Sequence, residues 1–204
     1  MTAAVSAFLN GWLLMGSLIF AVGPQNAMLI RHGLRRDRPL RLAAVFTLCD
    51  LVLVGLGVAG VGRLVAASAP LRRLAAYGGG VFLLWFSTRA FRDAWRGGHS
   101  LAGAQAPEGG GRLLATALAV SLLNPGALID TLVIVGSVSS RYHGGLALLF
   151  GLGAQVFSAG FFFGLALFTA ALAPALNRPA VWRGVDAMVG LITAAIAIAL
   201  LRGA

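Results

Sequence analysis

The sequence predicts an all-α polytopic membrane protein, with six transmembrane helices in two inverted three-helix repeats and the first helix of each repeat broken. Composition comes first. Of 204 residues, 59% are hydrophobic and only 11% charged, and the mean hydropathy is +0.89; a soluble domain carries about 25% charged residues. The charges are also segregated. Residues 1–30 and 144–177 contain none, 42–62 hold only Asp50, and 113–140 hold only Asp130. The third observation is a pair of prolines beside polar amides at corresponding places in the two halves of the chain.

Taken in order, the first apolar run covers about 4–30 and is interrupted late by Gly23-Pro24-Gln25-Asn26. It lacks the basic n-region of a secretory signal, and further apolar runs follow, so a retained helix is expected. A basic turn with Arg31, Arg35, Arg36, Arg38 and Arg41 precedes the second span, 42–62. Arg63, Arg72 and Arg73 then lead to the third, 74–88. Residues 97–112, GGHSLAGAQAPEGGGR, have the composition of a flexible linker. The fourth span, 113–140, is interrupted by Asn124-Pro125; the fifth is 144–172 and the sixth 187–201. A crossing takes roughly 20 apolar residues. The third and sixth runs have 15 each, and they span if Arg73, Arg89 and Arg202 snorkel to the headgroups.

The linker divides one transmembrane domain, 1–204, into halves 1–96 and 113–204 of three spans each. An odd number of spans per repeat inverts the second copy in the membrane. Broken helices at matching places in inverted halves point to a transporter's central site, although proline also occurs in membrane helices for purely structural reasons. Alternate loops hold 11 and 5 Arg, so the richer side is expected in the cytoplasm and both termini outside.

The net charge of +10 comes with 16 basic residues, all Arg, flanking apolar runs. That placement indicates lipid headgroups and topology rather than nucleic acid. A single Cys49 excludes an internal disulfide. Trp12, Trp85, Trp95 and Trp182 fit interfacial anchors or packing groups. His32, His99 and His143 lie near span ends, too far apart in sequence for a local metal site. Walker loop, HExxH and Cys/His cluster are all absent from the sequence, so no cofactor, metal or enzymatic activity is expected.

Two acids carry the chemistry. Asp50 is the ninth of the 21 residues 42–62 and Asp130 the eighteenth of the 28 residues 113–140. Inserting such a residue costs about 2.5–3.5 kcal/mol on translocon scales. Neither has an Arg or Lys three or four residues away to neutralise it on its own helix. The plain alternative is an Asp that is protonated or bonded to Ser, Thr or Asn of another helix. The functional reading is a counter-ion for a cationic substrate, a proton carrier, or both. Pro24 frees backbone carbonyls, and Gly23 permits unusual backbone angles. Gln25 and Asn26 bring amides, and Asn124 with Pro125 repeats the device. Such breaks offer helix-terminal N–H groups to a carboxylate and carbonyls to an ammonium; otherwise they are kinks with amides joining helices. Gly160 and Gly164 form a GxxxG pair whose default role is helix packing. Gln155 could face the site.

GPQNAMLIRHGLRR at 23–36, CDLVLVGLGVAGVG at 49–62 and NPGALIDTLVIVGS at 124–137 resemble the LysE family of amino-acid exporters, nearest its arginine-exporter branch. FGLAL at 163–167 and LAP at 172–174 extend the resemblance over nearly the whole chain. It implies a secondary exporter in the bacterial cytoplasmic membrane, working without ATP. Neutral-amino-acid members carry Pro-Gly-Pro where this chain has Val22-Gly23-Pro24, and the chain keeps both acids expected for basic substrates, Asp50 and Asp130. Gly126-Ala127 stand where the family has a bulkier residue after Asn-Pro, which bears on pocket shape and substrate choice.

The expectation is therefore export of arginine or lysine. Moving a cation outward against an inside-negative potential costs about 2.3 kcal/mol per 100 mV, and exchange for one inward proton cancels the charge. A carboxylate that binds either a proton or a guanidinium is a minimal coupling device. Asp50, Asp130, Gln25, Asn26 and Asn124 are expected to converge on one cavity. A carrier for neutral amino acids or a metal cation, and a non-transporting scaffold, are the competing readings. Small residues throughout would allow a homodimer and equally serve packing within one chain.

Overall fold

The computed structural model describes residues 2–19, 23–61, 68–96, 110–174 and 179–203, and their regular structure is all helical. Helix α1, Thr2–Ile19, buries a stripe of small residues and methionine: Ala7, Gly11, Met15 and Gly16. After the break, α2 (Pro24–Leu34) starts with Gly23 in extended conformation as N-cap and proline in its first turn, the position where a missing N–H costs nothing. The second expected span begins and ends earlier than its apolar residues imply. Helix α3, Pro39–Val58, is opened by Pro39 and closed at Gly60, whose φ of 96° is the left-handed stop that glycine supplies after a helix.

Helix α4, Ala69–Arg96, has 28 residues against the 15 of its apolar run, because the arginine-bearing flanks continue the helix. The expected linker 97–112 is shorter than its composition implies. Its last three residues open α5, Gly110–Leu122, and 97–109 lie outside the described residues. Next comes α6, residues 125–139. It runs as α-helix over Pro125–Leu128, as a wider π-helix over Ile129–Val135, and as α-helix again over Gly136–Ser139. Gly144, at φ 57°, precedes α7, Gly145–Leu172. Helix α8, Pro179–Gly203, starts eight residues before the expected run.

Among the described residues, three helices, α1, α3 and α7, are long and apolar enough to cross a membrane, and the bent pair α5 and α6, with 58° between them, makes a fourth. With α4 and α8 at 28 and 25 residues, about 42 and 38 Å at 1.5 Å per residue, the chain is a polytopic helical membrane protein. Leu48, Leu51, Val52 and Leu56 on α3, and Leu148, Leu152, Leu167 and Phe168 on α7, are exposed, an apolar surface suited to lipid rather than water.

Helix α7 packs against α1, α2 and α3, while α3 packs against α5 and α6; α4 and α8 pair with each other. Two of these contacts depend on glycine. Gly11 sits against the Phe150 carbonyl and Gly153 against the Phe8 carbonyl, so α1 and α7 approach backbone to backbone. On α3 and α6, a Cβ on Gly57 would lie 2.6 Å from the Thr131 carbonyl oxygen, and one on Gly136 would lie 2.7 Å from that of Gly57. The GxxxG pair expected to pack does not: a Cβ on Gly160 or Gly164 would meet nothing within 4 Å among the described residues. Their face of α7 points away from its helical neighbours.

Apolar side chains form two clusters. Met28, Leu29, Leu42, Phe46, Val120 and Phe162 belong to one; Met15, Val54, Val135, Phe150 and Ala154 belong to the other. On α3 the buried stripe runs Leu42, Phe46, Asp50, Val54, and on α7 it runs Phe150, Ala154, Ser158, Phe162. Spacing of four places these on one face. Asp50 and Ser158 thus form a polar layer between two apolar ones.

Candidate functional site

A cavity of about 210 Å³ opens in that polar layer, lined by Gly23, Pro24, Gln25, Asn26, Asp50, Asn124 and Asp130. The five polar side chains expected to meet do meet there. Pro125 opens α6 beside the cavity, immediately before the lining residues Gly126 and Ala127. Met15, Leu18 and Ile19 of α1 and Ile196 of α8 supply apolar wall. Among the described residues, no Arg, Lys or His lines the cavity, so its charged side chains are acids alone.

Each polar group is held by a specific local cause. Asp50 is 4% exposed; its Oδ2 accepts a 2.6 Å hydrogen bond from the Ser158 hydroxyl, and the Gln25 amide is its second side-chain neighbour. Gln25 Nε2 donates to Ser121 Oγ of α5 at 2.9 Å, joining the two broken helices. Asn26 Nδ2 donates to the Ile19 carbonyl at 2.9 Å, an acceptor freed where α1 ends. Asn124 Oδ1 accepts from the Gly126 N–H at 3.1 Å, capping α6 directly before its N1 proline. Gln25 and Asn26 therefore do what the structural alternative asked, tying helices together, Asn124 caps its own helix, and all three line the cavity as well. Asp130 lies in the π-helical stretch and is part-exposed; π-turns inside α-helices recur at functional sites.

Three features escaped the sequence reading. Ser158 and Ser121 are isolated small polar residues in apolar runs, and only their four-residue register with buried neighbours marks them as inward. Thr131 also lines the cavity, one residue from Asp130. Gln155, considered for the site, instead donates to the Thr47 carbonyl at 2.9 Å and joins α7 to α3 away from the cavity. His32 is buried beside Asp37, with Nδ1 3.4 Å from Oδ2, in the basic turn. No group of three His, Cys, Asp or Glu able to hold a metal occurs among the described residues.

A polytopic helical protein with two broken helices around an acidic internal cavity has the form of a small-solute carrier. The family model of the LysE type translocator matches residues 16–204, and the chain belongs to that family. The chain is similar to the YggA protein of Aeromonas salmonicida, at 40% identity over 197 residues and 96% of each chain. It is also similar to the arginine exporter protein ArgO of Pectobacterium carotovorum, 38% identical over 198 residues, and to that of Yersinia enterocolitica, 37% identical over 199, with 97% of each chain covered. No solved structure matches. The chain is a transporter rather than an enzyme.

Proposed function

We propose that this protein exports arginine, with lysine as its closest competitor, across the bacterial cytoplasmic membrane in exchange for protons. The observation that carries this is Asp50, buried at membrane depth, opening onto a cavity that no cationic side chain lines among the described residues. An uncompensated acid there is costly unless a proton or a cationic solute joins it. The names of the ArgO relatives favour arginine. Asp130, which lines the same cavity, is the second acid for the guanidinium or the proton. The N-terminus of α2 carries no side-chain cap, whereas that of α6 is capped by Asn124. A substrate carboxylate therefore goes to α2, where the helix dipole favours an anion, and Gln25 and Asn26 flank it.

Six spans in two inverted halves, 1–96 and 113–204, form the frame of this reading. It is supported by the proline-opened helices α2 and α6. It is supported too by the helix contacts: α1 with α7 corresponds to α5 with α3, and α2 with α7 corresponds to α6 with α3, pairs that an inverted two-fold axis would exchange. Superposing the halves in a structure solved with arginine bound tests the frame; two unrelated three-helix arrangements would refute it.

Counterflow of radiolabelled arginine, lysine, leucine and threonine in proteoliposomes tests the substrate. Arginine is expected to exchange fastest and lysine next. Equal or faster exchange of leucine or threonine would transfer the protein to the neutral class.

A further inference from the structure

The Ser158 hydroxyl differs from most of its kind in this chain. Thr88, Thr116, Thr131, Ser137, Ser139 and Thr169 each turn the hydroxyl back onto a carbonyl three or four residues earlier in their own helix, the ordinary habit of helical Ser and Thr. Ser158 instead donates across to α3, to Asp50 Oδ2 at 2.6 Å, within the range of about 2.5–2.7 Å for a hydroxyl on a carboxylate. It is 0% exposed and is not part of the cavity lining, while Asp50 is. The serine therefore stands behind the acid, on the side away from the cavity.

We propose that Ser158 is a positioning residue that fixes the Asp50 carboxyl, so that one oxygen is anchored to α7 and the other is presented to the cavity. A hydroxyl suits this place because it is both donor and acceptor. It donates to Asp50 when the acid is ionised and substrate-bound. When Asp50 takes up a proton, the same hydroxyl rotates and accepts, or keeps donating to the oxygen without the proton. Either way the acid has a partner in both halves of an exchange cycle. Alanine offers neither, and a lysine or arginine at this position would hold the acid in one state. The inference rests on the reading of Asp50 as the carboxyl that meets substrate or proton. The other groups near Asp50 are Gln25 from α2, the titratable Cys49 beside it on α3, Ser121 from α5, which contacts Gln25 and Cys49, and the titratable Asp130 from α6, which lines the same cavity.

The test compares wild type, Ser158→Ala, Ser158→Thr, Asp50→Asn and the Asp50→Asn/Ser158→Ala double variant in proteoliposomes. Arginine KM and maximal rate are measured across the neutral pH range, and thermal stability is measured alongside. Ser158→Ala is expected to raise KM about tenfold, the loss of one charge-assisted hydrogen bond, to displace the pH profile, and to remain folded. Ser158→Thr is expected to restore both readouts, and Ser158→Ala to change nothing further once Asp50 is Asn. A folded Ser158→Ala carrier with wild-type KM and pH profile overturns the proposal. So does an alanine effect of equal size in the Asp50→Asn background, where no carboxyl remains for the hydroxyl to serve in either protonation state; this arm decides the matter even if the threonine variant folds poorly. Defective Asp50→Asn with normal Ser158→Ala removes this inference alone. Wild-type behaviour of Asp50→Asn removes the reading of Asp50 on which it rests.

Discussion

Replacing Asp50 with Asn keeps the shape of the cavity wall and removes its charge. The acid is 4% exposed and accepts from Ser158, so the amide inherits a buried, largely pre-formed position. A guanidinium brought to about 4 Å of the carboxylate at an effective dielectric of about 20 would interact by about 4 kcal/mol. Desolvation of both ions offsets much of that, and the net value of a hydrogen bond to a charged group is about 1.5–3 kcal/mol. At about 1.4 kcal/mol per decade, arginine binding should weaken roughly 10- to 150-fold. Binding of radiolabelled arginine to purified protein in detergent reads this directly, and thermal stability measured alongside reports folding. A folded Asp50→Asn protein that binds arginine within about twofold of wild type would refute the reasoning. The counter-charge would then have to come from Asp130 or from backbone carbonyls at the breaks.

Other consequences follow from the same geometry. Asp130→Asn should retain the fold and lose most pH-driven arginine efflux; unchanged efflux under an imposed gradient would remove Asp130 from coupling. Asn124→Ala should cost about 1 kcal/mol as a lost helix cap, visible as a lower melting temperature, while Asn124→Ser should recover most of it. Gly57→Val should prevent close packing of α3 on α6 and lower the yield of folded protein, because a Cβ there meets the Thr131 carbonyl at 2.6 Å; Gly160→Ala and Gly164→Ala, which meet nothing within 4 Å, should be neutral by the same assay. Gln25→Ala and Ser121→Ala should impair transport similarly and non-additively, and additive effects would show that their 2.9 Å bond is incidental.

Much of the site was legible because lipid penalises polar groups so heavily. Asp50, Asp130, Gln25, Asn26 and Asn124 stood out as misplaced in apolar runs, and they converge on one cavity because no other surroundings satisfy them. The helix breaks were legible for a comparable reason, since Gly23-Pro24 and Asn124-Pro125 are local start signals independent of tertiary structure. Helix ends were less so. Apolar runs mark the lipid-facing length, whereas α4 and α8 continue as helix through their arginines, and α3 is bounded by Pro39 and Gly60. The packing glycines were not separable from the exposed ones: Gly160 and Gly164 have the better-known spacing, but only the structure reveals that Gly11, Gly57, Gly136 and Gly153 meet a partner backbone. The π-helical turn at Asp130 has no compositional mark at all. Ser158 escaped because serine in an apolar helix usually bonds to its own backbone.

The exchange of one cation for one proton is most directly tested with a pH-sensitive dye trapped in proteoliposomes loaded with arginine, at zero membrane potential and equal starting pH. Arginine leaving down its own gradient should draw protons inward, so the interior should acidify in step with radiolabel loss. The acidification should vanish with Asp50→Asn, and an imposed potential alone should leave the rate unchanged. Arginine efflux without internal acidification, or efflux that follows the membrane potential as a uniported cation would, contradicts proton antiport.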